Sequence, residues 1–131
     1  TYCPTTLATA LTKMGPQVDG VLDVFRADGD KWSFARANAD GRVLETAEKR
    51  RISEWATTGL YYFRRGADFV RHATAMINDN ERSNHEFYVA PVYNRLIAAG
   101  GDVRINPVDA VWVLGTPEDL AHFESEYPRQ S

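Results

Sequence analysis

The sequence predicts an α/β chain built on a mixed sheet with flanking helices. Two patterns lead there. Short runs in which apolar and polar residues alternate, the signature of a strand, recur between segments whose apolar residues return at helical spacing. Asp40-Gly41 joins two of those runs. A turn of that type requires positive φ and makes an antiparallel hairpin, so the sheet is mixed rather than purely parallel. A chain of 131 residues is one domain by size, residues 1–131. It buries roughly 65–70% of the surface its unfolded form exposes, enough for a real core.

The elements follow in order. PTTLATALTKMG, residues 4–15, reads as a first helix with Pro4 early and Gly15 at its stop. VDGVLDVFRA, residues 18–27, alternates and reads as a strand. WSFARANADGRVLETAEK, residues 32–49, reads as two strands around the hairpin turn. TTGLYYFRR, residues 57–65, is a further strand dense in aromatics. Phe69, Val70, Ala73 and Ile77 give helical spacing to GADFVRHATAMINDN. Phe87, Val92, Leu96 and Ile97 do the same for EFYVAPVYNRLIAAGG, residues 86–101, where Pro91 fits only in the first turn or after a kink. DVRINPV and AVWVL, residues 102–108 and 110–114, read as short strands. TPEDLAHFESEY ends the pattern as a helix with Thr116 as N-cap, Pro117 in first position and Glu118 and Asp119 in the first turn.

Composition excludes some classes of function. A net charge of −3 argues against nucleic acid as a partner, because binding phosphate backbones needs a basic face. Cys3 is the only cysteine, so no internal disulfide and no Cys/His zinc pattern exists. No window approaches a membrane span and no signal-peptide pattern is visible, which makes a cytoplasmic protein the expectation. The start at Thr1, without Met, points to processing or to a piece of something longer.

Chemistry is sparse. Glu48, Lys49, Arg50 and Arg51 fall where a strand ends, and strand ends are where α/β proteins commonly bind ligands. An ammonium there can hold a phosphate and a carboxylate can accept from sugar hydroxyls, although a solvated charged turn has the same composition. Thr58-Gly59 inside a strand pattern marks either a bulge or the close approach of a ligand. Tyr61 and Tyr62 must face opposite sides of their strand, one of which lines either the core or a pocket. His72, His85 and His122 share no ligand spacing and read as structural or surface residues. LGTPED reads either as an anion site at a helix N-terminus or as an ordinary capped helix whose own acids serve that end. No nucleophile elbow, phosphate-binding glycine loop or dinucleotide fingerprint is present.

Four stretches in order, KWSFARANADGRVLETAEK, ATTGLYYFRRGADFV, HEFYVAPVYNRLI and VWVLGTPEDL, together resemble the sugar-1-phosphate nucleotidyltransferases, the NDP-sugar pyrophosphorylases, and most of all their capsule-associated members. The resemblance covers nearly the whole chain. It implies the C-terminal, sugar-binding portion of a GT-A-like, Rossmann-like fold. It also implies a reaction in which a sugar-1-phosphate oxygen attacks the α-phosphorus of a nucleoside triphosphate, giving a nucleotide sugar and pyrophosphate with the help of Mg²⁺.

Carried over residue by residue, the resemblance implies that Glu48 holds sugar hydroxyls and Lys49 neutralises phosphate. Thr58 and Gly59 lie against the sugar, Ser33 after Trp32 faces it, and Glu86 begins a helix beside it. The departures are equally specific. The family's glycine-rich nucleotide loop and its metal-binding Asp are absent, so no catalytic or metal residue is assigned and Mg²⁺ belongs to the complete enzyme. Arg50 stands where the family has Pro, and Val113 and Leu114 occupy the stretch of its second metal Asp, with Asp109 nearby but unassigned. The expected partners are a sugar phosphate and a nucleotide, with no nucleic acid and no membrane. The isolated chain is expected to turn over little or nothing. A truncated sheet would expose an edge and an apolar face, which favours a homodimer or higher species. The alternative is a non-catalytic binding or assembly module that keeps the fold.

Overall fold

A computed structural model of the chain describes residues 6–127. Pro4 and Cys3, and with them the expected start of the first helix, lie outside the described residues. The elements are α1 (Leu7–Met14), β1 (Gly20–Arg26), β2 (Ser33–Ala37), β3 (Val43–Glu48), β4 (Trp55–Phe63), α2 (Gly66–Asn78), α3 (Val92–Ala98), β5 (Val103–Pro107) and α4 (Pro117–Glu126).

The five strands form one sheet in the order β3-β2-β4-β1-β5. It is mixed, as the sequence predicts. β1 runs parallel to β5, while the β1–β4, β2–β4 and β2–β3 pairs are antiparallel. β1 reads almost wholly buried because it has a neighbour on each side and packed side chains on both faces. Leu22, Val24, Ala35, Val43, Tyr93, Leu96, Val103 and Ile105 make the core cluster.

The hairpin reaches further than a local pairing. Its turn lays Gly41 against β5, whose Ile105 N–H donates to the Gly41 carbonyl at 3.0 Å. Arg42 bridges Arg104, and the Arg104 guanidinium donates to the Asp40 carbonyl at 3.3 Å and to the Asp102 carboxylate at 2.6 Å. The far edge of the sheet is therefore covered at that point by the turn itself.

α3 docks through two consecutive residues. Tyr93 is fully buried, stacks on Phe63 with ring centroids 4.4 Å apart, and donates its hydroxyl to the Tyr62 carbonyl at 2.8 Å. Gly20 makes room for it: a Cβ at that position would lie 2.7 Å from the Tyr93 ring. Asn94 serves the other edge of the sheet, at Thr46. Its amide accepts from the Thr46 N–H at 2.7 Å and donates to the Thr46 carbonyl at 2.9 Å, so a side chain takes the place of a missing strand. The Thr46 hydroxyl donates to the Ala90 carbonyl at 2.7 Å.

Two expectations fail. The helix predicted over 86–101 begins only at Val92, because Pro91 takes the N-cap and the preceding residues turn back on themselves. Residues 110–114 form no strand; Trp112 keeps a single bridge and packs edge-on against Phe123 and Tyr127. The two outer edges are each engaged at one point, by Gly41 on β5 and by Asn94 on β3. α4 carries the predicted cap, with the Thr116 hydroxyl accepting from the Asp119 N–H at 3.1 Å and the Asp119 carboxylate returning the bond to the Thr116 N–H. Its acids serve their own helix end, the plain reading of LGTPED. No helix among the described residues is long and apolar enough to cross a membrane.

Candidate functional site

β2 and β3 end side by side at Ser33 and Glu48, which are cross-strand partners. The Ser33 hydroxyl donates to the Glu48 carboxylate. Lys49 then leaves the strand with φ at 51°, a left-handed conformation that a lysine rarely adopts, while its N–H donates to the Trp32 carbonyl at 2.8 Å. The hairpin ladder is thus prolonged by one bond, and the turn of the backbone redirects the lysine side chain off the strand.

Opposite it lies the connection between α2 and α3. Ser83 and Glu86 close a tight turn through two backbone bonds of 2.8 and 3.0 Å, with Asn84 and His85 both at positive φ. Two residues later the Tyr88 hydroxyl donates to the Glu86 carboxylate at 2.6 Å and accepts from the Lys49 ammonium at 3.3 Å. The ammonium also lies 5.4 Å from the centre of the Tyr88 ring. The Tyr88 contact, followed by the Glu48 and Glu86 carboxylates, holds the lysine above its ordinary pKa, and the Glu86 carboxylate chiefly raises that of Tyr88. The Lys49 ammonium, the Tyr88 hydroxyl and the Glu86 side chain thus stand in series. An ammonium has three N–H donors, so one contact to Tyr88 leaves the other two for an anion.

Thr58 and Gly59 form a bulge. Leu22 pairs with Tyr61 and Val24 with Thr57, so the single β1 residue Asp23 stands against Thr58, Gly59 and Leu60. Gly59 has φ at 97°, and the space where a Cβ would sit is open. The bulge is fastened by the Leu60 N–H donating to the Thr58 hydroxyl at 3.2 Å. A recess of about 330 Å³ lies there, lined by Gly59, Tyr61, Phe63, Phe69 and Val89. Both readings of the tyrosines hold: Tyr61 lines this recess and packs against the core, while Tyr62 lines a separate cleft with Leu11 and Arg64.

The predicted residues therefore fall into two neighbouring groups rather than one cavity. Ser33 with Glu48, and Lys49 with Glu86, sit at the strand ends. Thr58 and Gly59 sit at the bulge, and Glu48 and Lys49 are not among the residues lining its recess. The 86–91 segment joins the groups, since Tyr88 meets Lys49 while Val89, about 3.8 Å along the chain, lines the recess. The register Phe34↔Ala56 also sets Ser33 beside Thr57, the residue before the bulge. Contrary to the expectation, Glu86 does not begin a helix; it closes the turn six residues ahead of α3. Tyr88 is the residue that reading the sequence missed. Its signal was its place two residues after Glu86.

Asp109 lies elsewhere, in a cleft of about 520 Å³ lined also by Phe25, Arg26, Trp55 and Val111. No three His, Cys, Asp or Glu side chains converge to hold a metal ion among the described residues. The two carboxylates of the candidate site are each engaged, Glu48 by Ser33 and Glu86 by Tyr88. The donor set for Mg²⁺ is not met by these residues.

No family model and no curated protein matches the chain. Solved structures do. A nucleoside-diphosphate-sugar pyrophosphorylase from Vibrio cholerae RC9 superposes over 95% of this chain and 51% of its own, with a TM-score of 0.79 and 30% sequence identity. The chain carries about half of a sugar-nucleotidyltransferase fold. Two more distant structures share this nucleotidyltransferase fold. A Bacillus anthracis protein assigned as a glucose-1-phosphate thymidylyltransferase, solved with sucrose, is 16% identical over 93% of this chain and 49% of its own, with a TM-score of 0.65. CMP:2-keto-3-deoxy-manno-octonic acid synthetase, solved with CTP, is 16% identical over 92% of this chain and 53% of its own, with a TM-score of 0.56. The chain spans about half the length of each.

Proposed function

We propose that this chain is the sugar-phosphate-binding, C-terminal portion of a nucleotidyltransferase that joins a sugar-1-phosphate to a nucleoside triphosphate, releasing pyrophosphate, in capsule or other cell-surface polysaccharide synthesis. The observation that carries the proposal is Lys49. It is turned off the end of β3 and tied to the Tyr88–Glu86 pair near Glu48, in a fold shared with an NDP-sugar pyrophosphorylase. In this reading the ammonium neutralises the sugar phosphate, Glu48 and Glu86 accept from hydroxyls, and the bare backbone at Gly59 lets the ring approach. Catalysis by such an acceptor half is positioning and charge neutralisation, with no covalent intermediate. When bound, Mg²⁺ would stabilise charge on the reacting phosphates, held by groups outside this set.

Pyrophosphate release with a panel of nucleoside triphosphates and hexose 1-phosphates tests the division of labour. The chain alone is expected to bind hexose 1-phosphates and to release essentially no pyrophosphate. Robust turnover by the 131 residues refutes that division. The second reading, a binding or assembly module without chemistry, draws on Arg50, which replaces the family's Pro and pairs with Glu45 at 3.1 Å. It gains if a complete polypeptide carrying this chain still makes no nucleotide sugar. Val70 and Ile77, a helical face of α2 left 61% and 53% exposed, support pairing into a homodimer. A clean monomer in sedimentation at high concentration removes that part.

A further inference from the structure

We propose that Tyr88 is a positioning residue for Lys49: by standing between the ammonium and the Glu86 carboxylate, its hydroxyl holds the lysine in place without letting Glu86 neutralise it. The inference rests on the sugar-phosphate reading of Lys49. The geometry is a relay of two bonds, 3.3 Å from ammonium to phenol oxygen and 2.6 Å from phenol to carboxylate. A phenol that donates to a carboxylate has its lone pairs free to accept, so one hydroxyl serves both partners. A direct Lys49–Glu86 ion pair would use the ammonium's charge on the protein's own carboxylate. The inserted hydroxyl keeps the two apart, and the ring face beneath the ammonium restricts where it can swing.

The device is built on a fixed base at each end. The Lys49 N–H is tied to Trp32, and Glu86 sits in the closed Ser83–Glu86 turn. The charged or titratable groups acting on Lys49 are Tyr88 from the α2–α3 connection, Glu86 from the same connection, and Glu48 from its own strand. Because the lysine is exposed, an incoming phosphate reaches it without rearrangement of the core.

Lys13, Lys31 and Lys49 are the only lysines, so ¹³C-dimethylated protein gives three resolvable lysine signals for NMR titration. Lys49, assigned through Lys49→Arg, is expected to titrate above the ordinary lysine value of 10.5 and to shift its midpoint in Tyr88→Phe, where the ammonium loses the hydroxyl and can reach Glu86, with the unfolding midpoint unchanged. In the same variant the affinity for hexose 1-phosphates is expected to drop on the order of tenfold, while Glu86→Gln leaves Lys49 tied to Tyr88. A Lys49 signal that Tyr88→Phe does not move overturns the proposal, whatever binds. A signal that moves as expected in a chain that binds no hexose 1-phosphate sustains the Tyr88 relay and overturns the sugar-phosphate reading instead.

Discussion

β3 meets the chain around α3 at two places three residues apart, and the two junctions are built to opposite rules. At Thr46 the contact is buried, and Asn94 and Ala90 satisfy the backbone N–H, the carbonyl and the hydroxyl together. At Lys49 the contact is exposed and made with Tyr88 alone, through one hydrogen bond and the nearby ring. A buried polar group is expensive to leave without its partner, whereas an exposed ammonium exchanges a hydroxyl for water or phosphate with little loss. The first junction therefore fixes where the 86–91 segment lies. The second, placed by the first, remains open to a ligand.

Variants can break that contrast. The largest effect belongs to Asn94→Ala, which leaves the Thr46 N–H and carbonyl buried without partners; urea denaturation should show a loss of about 2–4 kcal/mol. A loss within error would mean that Asn94 does not anchor the arm. Next is Gly20→Ala, whose new methyl meets the Tyr93 ring and should lower stability by about 1–3 kcal/mol by forcing α3 off the sheet.

A third effect depends on pH. His72 is buried on α2 with no hydrogen-bond partner for its Nε2 among the described residues. Burial first, then Arg71 and Arg95, hold the imidazole below its usual value, opposed by Asp68. Above the unfolded value near 6.5 both states are neutral. Below it the unfolded chain takes up a proton that the folded chain resists, so stability falls with acidification, by no more than about 1.4 kcal/mol per pH unit for one proton. Replacing His72 by Leu should flatten the melting profile between pH 7 and 5; an unchanged slope would assign the effect to other groups. The smallest effect on stability is that of Lys49→Ala, whose unfolding midpoint should match wild type even though its hexose 1-phosphate binding is lost.

Local chemistry was legible in the sequence and distant contact was not. The Thr116 N-cap and the Asp40-Gly41 turn are encoded within four residues, and both form where predicted, the cap as a full capping box with Asp119. Thr58-Gly59 left a bulge and the close approach of a ligand open, because a glycine in a strand seldom serves regular pairing, and a bulge is what forms. The helix over 86–101 was misjudged because apolar spacing continues through Phe87 while Asn84-His85 and Pro91 impose turns that spacing alone does not reveal. The AVWVL run has strand composition, but only Trp112 keeps a bridge and its ring packs on α4 instead. The site divides the same way. Glu48 and Lys49 stood out at a strand end, and Ser33 was named only through the family resemblance, its pairing with Glu48 coming from the folded hairpin. Tyr88, 39 residues from Lys49 along the chain, becomes visible only when α3 is docked.

Titration of the chain with hexose 1-phosphates, followed by calorimetry beside the matching free hexoses and with Lys49→Ala as the control, tests the central claim most directly. Saturable binding that needs the phosphate and disappears with the ammonium is expected. Binding that survives in Lys49→Ala, or phosphorylated and free hexoses bound alike, would contradict it.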